Sequence, residues 1–414
     1  MTGSLPPWAV KPYPPPAGLK ENLLLALHHA LEAGLHAERR LEPFFRRGLN
    51  QAFRKPLAGL LQYLINRRRP NDGLKLAEEQ IAPDEPECLA SITAAFGGYM
   101  KRTYAPGGFE RGGNTKTHGI VRAEVIIRDG LPAHLRHGVF ATPRSFPAFV
   151  RYSGPGPNLP PDIKDVGFGS MTMKLMDVPG PKLMDDEKFT QDFLTVSTPS
   201  FVTPNTHENA KLQWWSFRAM PVFYFLNPFD SHLLDFLMQG LWNETLYNPL
   251  GTRFWSCVPY LLGEGQAMMY SFAPKSQVTT RIPGVPFGRV PPNYLRDNMA
   301  ATLAQQDVEF DLLVQVQTDP HLMPIENASV RWPEKLSPFI PAATVHIPQQ
   351  RIDTPAHEAF AKVLSLNPWH CLPEHRPLGN QNRARREMYY QLSHLRQERN
   401  GTPHIEPVGN ELDP

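Results

Sequence analysis

Pro377–Arg396, PLGNQNRARREMYYQLSHLR, carries a helical pattern whose arginines and tyrosines decide how the rest of the chain is read. Leu378-Gly379-Asn380 supplies a turn, and Asn380 or Asn382 is available to cap the first free N–H groups. No Pro or Gly then interrupts the run until Gly401. Arg385, Tyr389, Leu392 and Arg396 recur at spacings of four, three and four, so they share one face. A guanidinium stays protonated in a protein, and a nearby cation favours the charged form of an acid. The phenol of Tyr389, between two arginines, is thus placed to serve as a phenolate, a hard anionic oxygen able to ligate ferric iron. Read alone, the same residues also describe a solvated basic helix whose tyrosines lie under their neighbours' stems. Tyr390 has Arg386 four residues before it but no later Arg in register, which favours Tyr389 as the ligand.

A chain of 414 residues can bury a large core in one domain or two. Its formal charge of +2 is too near neutral to point to a nucleic-acid partner. Cys88, Cys257 and Cys371 are odd in number and lack metal-ligand spacing. That argues against a disulfide framework or a zinc site and fits a reducing cytoplasm. No apolar run reaches the roughly eighteen residues of a membrane span. The opening MTGSLPPWAVKPYPPP lacks the charged and apolar regions of a signal peptide. The 45 prolines are scattered, as expected where loops and extended arms wrap a core.

Residues 1–17 read as an extended arm, and 18 to about 67 carry dense helical patterning with Glu38, Arg39, Arg40, Arg46 and Arg47 collected late. Such a basic amphipathic helix can lie on a membrane, or pack on its own domain or on a partner subunit. From Gly97 the pattern changes to short runs of period two broken by Gly and Pro. These are 119–127, 148–153, 166–176, 192–197, 267–272, the cleanly alternating 308–317, and 343–347. A helical, aromatic-rich insert lies between Trp214 and Leu250, and helix returns from about Asp353. Without alternating strand–helix units or a Gly-x-Gly-x-x-Gly after a strand, the strands suit a closed antiparallel barrel better than a doubly wound sheet. The expected class is α+β, with an N-terminal arm and helical extension over 1–95, a barrel with a helical insert over 96–352, and C-terminal helices over 353–414.

Arg-x-x-x-Tyr with a further Arg seven residues on, here Arg385, Tyr389 and Arg396, resembles the proximal haem helix of catalases, where Tyr is the axial ligand. The form Asn-Arg-x-Arg-x-x-x-Tyr resembles the catalase-related branch that includes coral allene oxide synthase and small bacterial catalase-like enzymes. His118 in NTKTHGIVRAEV and Arg151 in PAFVRYS resemble the family's distal histidine and its Val-Arg-Phe-Ser strand. DIKDVGFGSMTMKLM, DFLTVSTPSF and ENASVRWPEKLSPFIPAATVHI follow in family order, so the likeness runs from about residue 115 to 400.

The resemblance implies a catalase-like barrel with flanking helices, binding haem b through Tyr389 with Arg385 beside it. His118 would move a proton on a bound peroxide, Ser153 would hydrogen-bond its imidazole, and Arg151 would place a cation near the haem edge. Thr115 stands where the family has a propionate-binding arginine, leaving that work to Arg111, Lys116 or Arg396. Thr117 matches a threonine of the allene oxide synthase branch that hydrogen-bonds the distal histidine. The distal asparagine is replaced by Val196, with Ser197 next to it as a partial substitute. These departures count against ordinary catalase activity. The leading expectation is a haem enzyme that uses hydrogen peroxide or an organic peroxide to oxidise a small organic substrate, although Thr117 by itself favours the next reading. Isomerisation or cleavage of fatty-acid hydroperoxides comes second, peroxide disproportionation third, and a non-catalytic haem-binding protein last. A homo-oligomer is also implied. Met171, Met173 and Met176 read as core filler rather than haem contacts, and Trp369-His370-Cys371 as a packed loop rather than a thiolate ligand.

Overall fold

The alternation in Val308–Val316 sends Val308, Phe310, Leu312 and Val314 to one wholly buried face and leaves the intervening residues on the other. That strand belongs to a set of nine in a computed structural model describing residues 18–218, 220–227 and 230–412. The extended arm expected over 1–17 lies outside the described residues. The strands are β1 (Thr117–Ile127), β2 (Ser145–Ser153), β3 (Ser170–Leu175), β4 (Gln191–Val196), β5 (Phe254–Trp255), β6 (Tyr260–Leu261), β7 (Ala267–Pro274), β8 (Val308–Val316) and β9 (Ile340–Ile347). Their order is β5-β4-β3-β2-β1-β9-β8-β7-β6, and β5 also pairs with β7. All pairings are antiparallel. Eight strands therefore close a barrel, with β6 appended to β7, and closure removes the free edges an open sheet would expose. Met171 and Met173 point inward with Val150, Phe193, Tyr270 and Phe272 into the barrel core, as filler. Thr172 and Lys174, one residue out of phase, face outward.

Nine α-helices surround the barrel among the described residues: α1 (Leu19–Leu49), α2 (Lys55–Arg68), α3 (Glu85–Thr103), α4 (Thr206–Ser216), α5 (Val222–Leu226), α6 (Leu233–Gly240), α7 (Tyr294–Leu303), α8 (Pro355–Val363) and α9 (Asn380–Asn400). A π-helical turn, Asn50–Arg54, joins α1 to α2 without a break. The boundary expected at residues 95/96 falls inside α3, so no linker separates the helical extension from the barrel there. Leu392 and Leu395 of α9 lie over Gly97 of α3, which brings the two helices together.

The start of α9 differs from expectation. Neither Asn380 nor Asn382 caps it: both lie within the helix, and the cap position is Gly379 at φ 83°. Ile325 O would lie 2.5 Å from any Cβ there, so glycine is required on two counts. The free N–H groups go instead to carboxylates, Gly379 to Glu79 at 2.8 Å and Asn380 to Glu326 at 2.8 Å. The Asn380 side chain is diverted to the Thr206 N–H and Glu326. Asn382 donates to Pro259 O.

Candidate functional site

The arginine–tyrosine face of α9 and the outer face of β2–β4 enclose a cavity of about 820 Å³, within the range of small-molecule sites. Arg385, Tyr389, Leu392 and Arg396 all line it, as their four-three-four spacing requires. The neighbouring Tyr390 is exposed and packs against His394 at a tilt of 38°, with ring centroids 4.0 Å apart. Opposite strands contribute by register: Arg151 pairs with Thr172 and Thr172 with Leu194, so all three face the cavity, joined by Val196. Phe168, Phe201 and Val202 add an apolar wall, and α3, α4 and α1 complete the lining.

Four arginines line this cavity against one acidic residue among the described ones, Glu32. Arg151 donates to Thr117 Oγ1 at 2.7 Å and to the carbonyls of Asn114 and Thr115. Arg111 donates to Leu364 O at 2.5 Å, and Arg396 to the same carbonyl at 3.2 Å. Every acceptor these three reach among the described residues is neutral. Burial is the largest influence and lowers all three, Arg151 to about 9, Arg396 to about 10 and Arg111 well below its ordinary value. Arg396 adds repulsion on both Arg151 and Arg111, and Glu110 offsets part of it. A cluster of this kind favours an anionic occupant with two or more oxygens. Arg385 sits 5.4 Å from the centroid of the Phe201 ring and donates to Asn382 Oδ1 at 3.2 Å. Burial opposes its charge, but Tyr389, Tyr260 and Cys257 prevail and its pKa is raised.

Other expected site residues fall elsewhere. The β1–β2 register slips between Thr117 and Gly119, and His118 is the extra residue of that bulge. Its imidazole, buried at 3% exposure, opens on a small separate cleft with Arg39, Asp162 and Asp165. Pro155 lines both that cleft and the large cavity. Burial first, then Lys116, Arg151 and Arg296, lower the His118 pKa to about 3, so the ring is neutral. Its Nδ1 stands 3.7 Å from Asp162 Oδ1, and Lys116 pairs with the same oxygen at 2.6 Å. Thr117 spends its hydroxyl on Arg151 rather than on the imidazole. Ser153 Oγ is buried with no partner among the described residues. Val196 does face the cavity. Ser197, one residue on, does not, because side chains alternate along a strand. The hydroxyl that reaches the wall there is Thr198.

Two features gave no sequence signal. His28 of α1 lines the cavity at 5% exposure with Nδ1 unpartnered among the described residues, and burial lowers its pKa. Lys174, fully buried on β3, pairs with Glu187 and, at 2.8 Å, with Asp192, beside His370. Burial and Lys174 oppose a proton on His370, but Asp186, Asp192 and Glu187 prevail and raise its pKa to about 9. Cys371 is buried and its thiol is pushed up by burial and Asp192, which disfavours a thiolate.

No protein-family model matches this sequence, and no curated protein is detectably similar to it. Solved structures are similar in shape. A bacterial catalase shares 14% identity, with a TM-score of 0.51 over 82% of this chain and 67% of its own. A fungal catalase shares 13%, with a TM-score of 0.52 over 84% and 73%. Catalase A from Saccharomyces cerevisiae shares 11%, with a TM-score of 0.51 over 80% and 68%. Barrel order, strand direction and flanking helices agree with that likeness: the chain has a catalase-like fold.

Proposed function

We propose that the cavity holds haem b, with the Tyr389 oxygen as iron ligand, and that the protein uses peroxide to oxidise a small organic substrate. The observation that carries this reading is the opening of Tyr389 and three arginines without carboxylate partners onto one cavity. Those residues fit a porphyrin: a phenol for the metal, and Arg111, Arg151 and Arg396 for two propionates. Arg111 thereby takes the work that Thr115 cannot do. When bound, haem supplies a redox-active iron that promotes O–O cleavage.

The chain's own residues do the rest. Arg385 sits one turn before Tyr389 and is coupled to its phenol electrostatically, placing a cation beside the proposed ligand. Phe168, Leu194, Val196 and Phe201 exclude water from the cavity. With valine at 196, no amide at that position orients a second hydrogen peroxide, which favours an organic co-substrate over disproportionation. His118 is neutral but, with its pKa lowered to about 3, a weak base, and the turn at Gly154-Pro155 stands between it and the cavity. The apolar wall also supports a second reading, isomerisation or cleavage of a lipid hydroperoxide.

The test is the absorption spectrum of protein supplied with hemin, compared between Tyr389→Phe and Tyr390→Phe. We expect the first to lose the high-spin ferric bands or most of the haem and the second to keep both. Equal spectra would overturn the ligand assignment. Assays with hydrogen peroxide plus an organic donor, and with a lipid hydroperoxide alone, separate the two readings.

A further inference from the structure

Helix α1 is built inside out. Its inner side buries His28, Arg39 and Glu42 against the body. Arg39 pairs with Glu42 at 3.2 Å and donates to Val166 O, and Glu42 accepts the Thr245 N–H at 2.6 Å. Its outer side presents Leu19, Leu23, Leu27, Leu31, Phe44 and Leu49, which at 100° per residue fall within an arc of about 140°. Leu19 is 78% exposed and Phe44 66%. Beyond the π-helical turn the stripe continues through Leu57 and Leu60 to Tyr63, while Ala58, Leu61 and Ile65 are the side of α2 that packs inward. A helix in water arranges these classes the other way round. An apolar stripe of this extent marks a surface that another apolar phase covers.

We propose that the outer face of α1–α2 is a membrane-docking surface that lies along the interface of a bilayer containing anionic phospholipid. The most exposed charged residues on these helices, among the described ones, are Arg47, Lys55, Arg67 and Arg68. The acidic residues of α1 are less exposed: Glu42 is buried, Glu38 half-buried, Glu21 pairs with Arg218 and Glu32 is turned to the cavity wall. Cations beside an apolar stripe of Leu and Phe match lipid headgroups above acyl chains. Two copies pairing through the same face would instead bring like charges together. No described helix is long and apolar enough to cross a membrane, so the rod, about 75 Å at 1.5 Å per residue, lies on the bilayer and does not span it. The same helix contributes His28, His29 and Glu32 to the cavity wall, which sets the cavity beside the docked face. The docking surface stands independently of what the cavity holds.

The test is co-sedimentation of the full-length protein with vesicles of phosphatidylcholine alone or with phosphatidylglycerol added. The wild-type chain is compared with the combined variant Leu27→Ser, Phe44→Ser, Leu57→Ser, and hemin uptake is measured on the same samples. These outward positions touch no core, so the variant retains the wild-type thermal transition. The wild type binds phosphatidylglycerol vesicles, loses binding at high salt, and the variant binds at least about tenfold more weakly. A wild type that stays in the supernatant with both vesicles, or binds no better than the variant, overturns the proposal. If the variant then turns a dimer into a monomer in sedimentation velocity, the face belongs to a second copy. Vesicle binding without hemin uptake would refute the haem reading and leave the docking surface standing. Hemin uptake without vesicle binding would do the reverse.

Discussion

Two sets of buried charge lie on the same outer face of the barrel, about 7 Å apart along β3. Lys174 faces Asp192 across the strands and reaches Glu187, with His370 above them. One pair further along, Arg151 faces Thr172 and Leu194, with Arg111 and Arg396 nearby. The first set contains its own counterions. The second contains cations alone, on the wall of an 820 Å³ space. Desolvated charge is tolerated where partners neutralise it and is costly where they do not. The balanced set therefore reads as a device of folding, and on the function proposed above the unbalanced one is a device of binding.

The sharpest way to break this contrast is Lys174→Met. Removing the cation leaves Glu187 and Asp192 buried with only His370 to offset two carboxylates, and we expect a loss of about 3–5 kcal/mol in urea unfolding. A loss under about 1 kcal/mol would mean the set contributes little to the fold. The next effect is on pH. The folded pKa of His370, about 9, lies above its unfolded value near 6.5. Its stabilisation is thus complete below pH 6.5 and disappears as pH rises through 9, a change of about 3 kcal/mol. Unfolding of His370→Gln should therefore lack most of that alkaline decline. His118, with a folded pKa of about 3, has the opposite sign: its contribution is complete above pH 6.5 and is lost on acidification. His118→Gln should accordingly flatten the acid limb and leave the alkaline one as it is.

The smallest effect on stability belongs to the binding set. Arg151→Gln relieves repulsion with Arg396, so the protein without ligand should change by no more than about 1 kcal/mol. Hemin affinity should nonetheless fall about tenfold or more as a charge-assisted contact is lost. A large loss of stability with unchanged affinity would reverse the roles assigned to the two regions.

Much of this arrangement was legible in residue spacing. Long strands with clean alternation, such as Val308–Val316, declared themselves, and the cavity-lining face of α9 followed from four positions. β5 and β6 have two residues each, too few to show any period. α3 was obscured because its Gly97-Gly98 reads as a break, whereas Gly97 is where α9 packs closely. The position of His118 depends on one extra residue in a ladder, which no local pattern announces. Ser197 was a readable error: period two alone sends it away from the side that Val196 faces. His28 escaped notice because its significance comes from a cavity assembled by segments hundreds of residues apart.

The ring of strands meets its ends through only two pairs, Phe254 with Phe272 and Trp255 with Ser271. Immediately beyond this seam, Tyr260 bridges to Pro377, Leu261 N–H donates to Arg376 O, and Leu378 N–H to Pro259 O. The start of the tyrosine-bearing helix is thus buttoned beside the thinnest part of the wall, where β5 is held by two pairs to β7 and by one, Val196 with Trp255, to β4. Unzipping that seam would let the helix swing outward while the other strands stay paired, so whatever Tyr389 grips should be shed before the barrel itself melts.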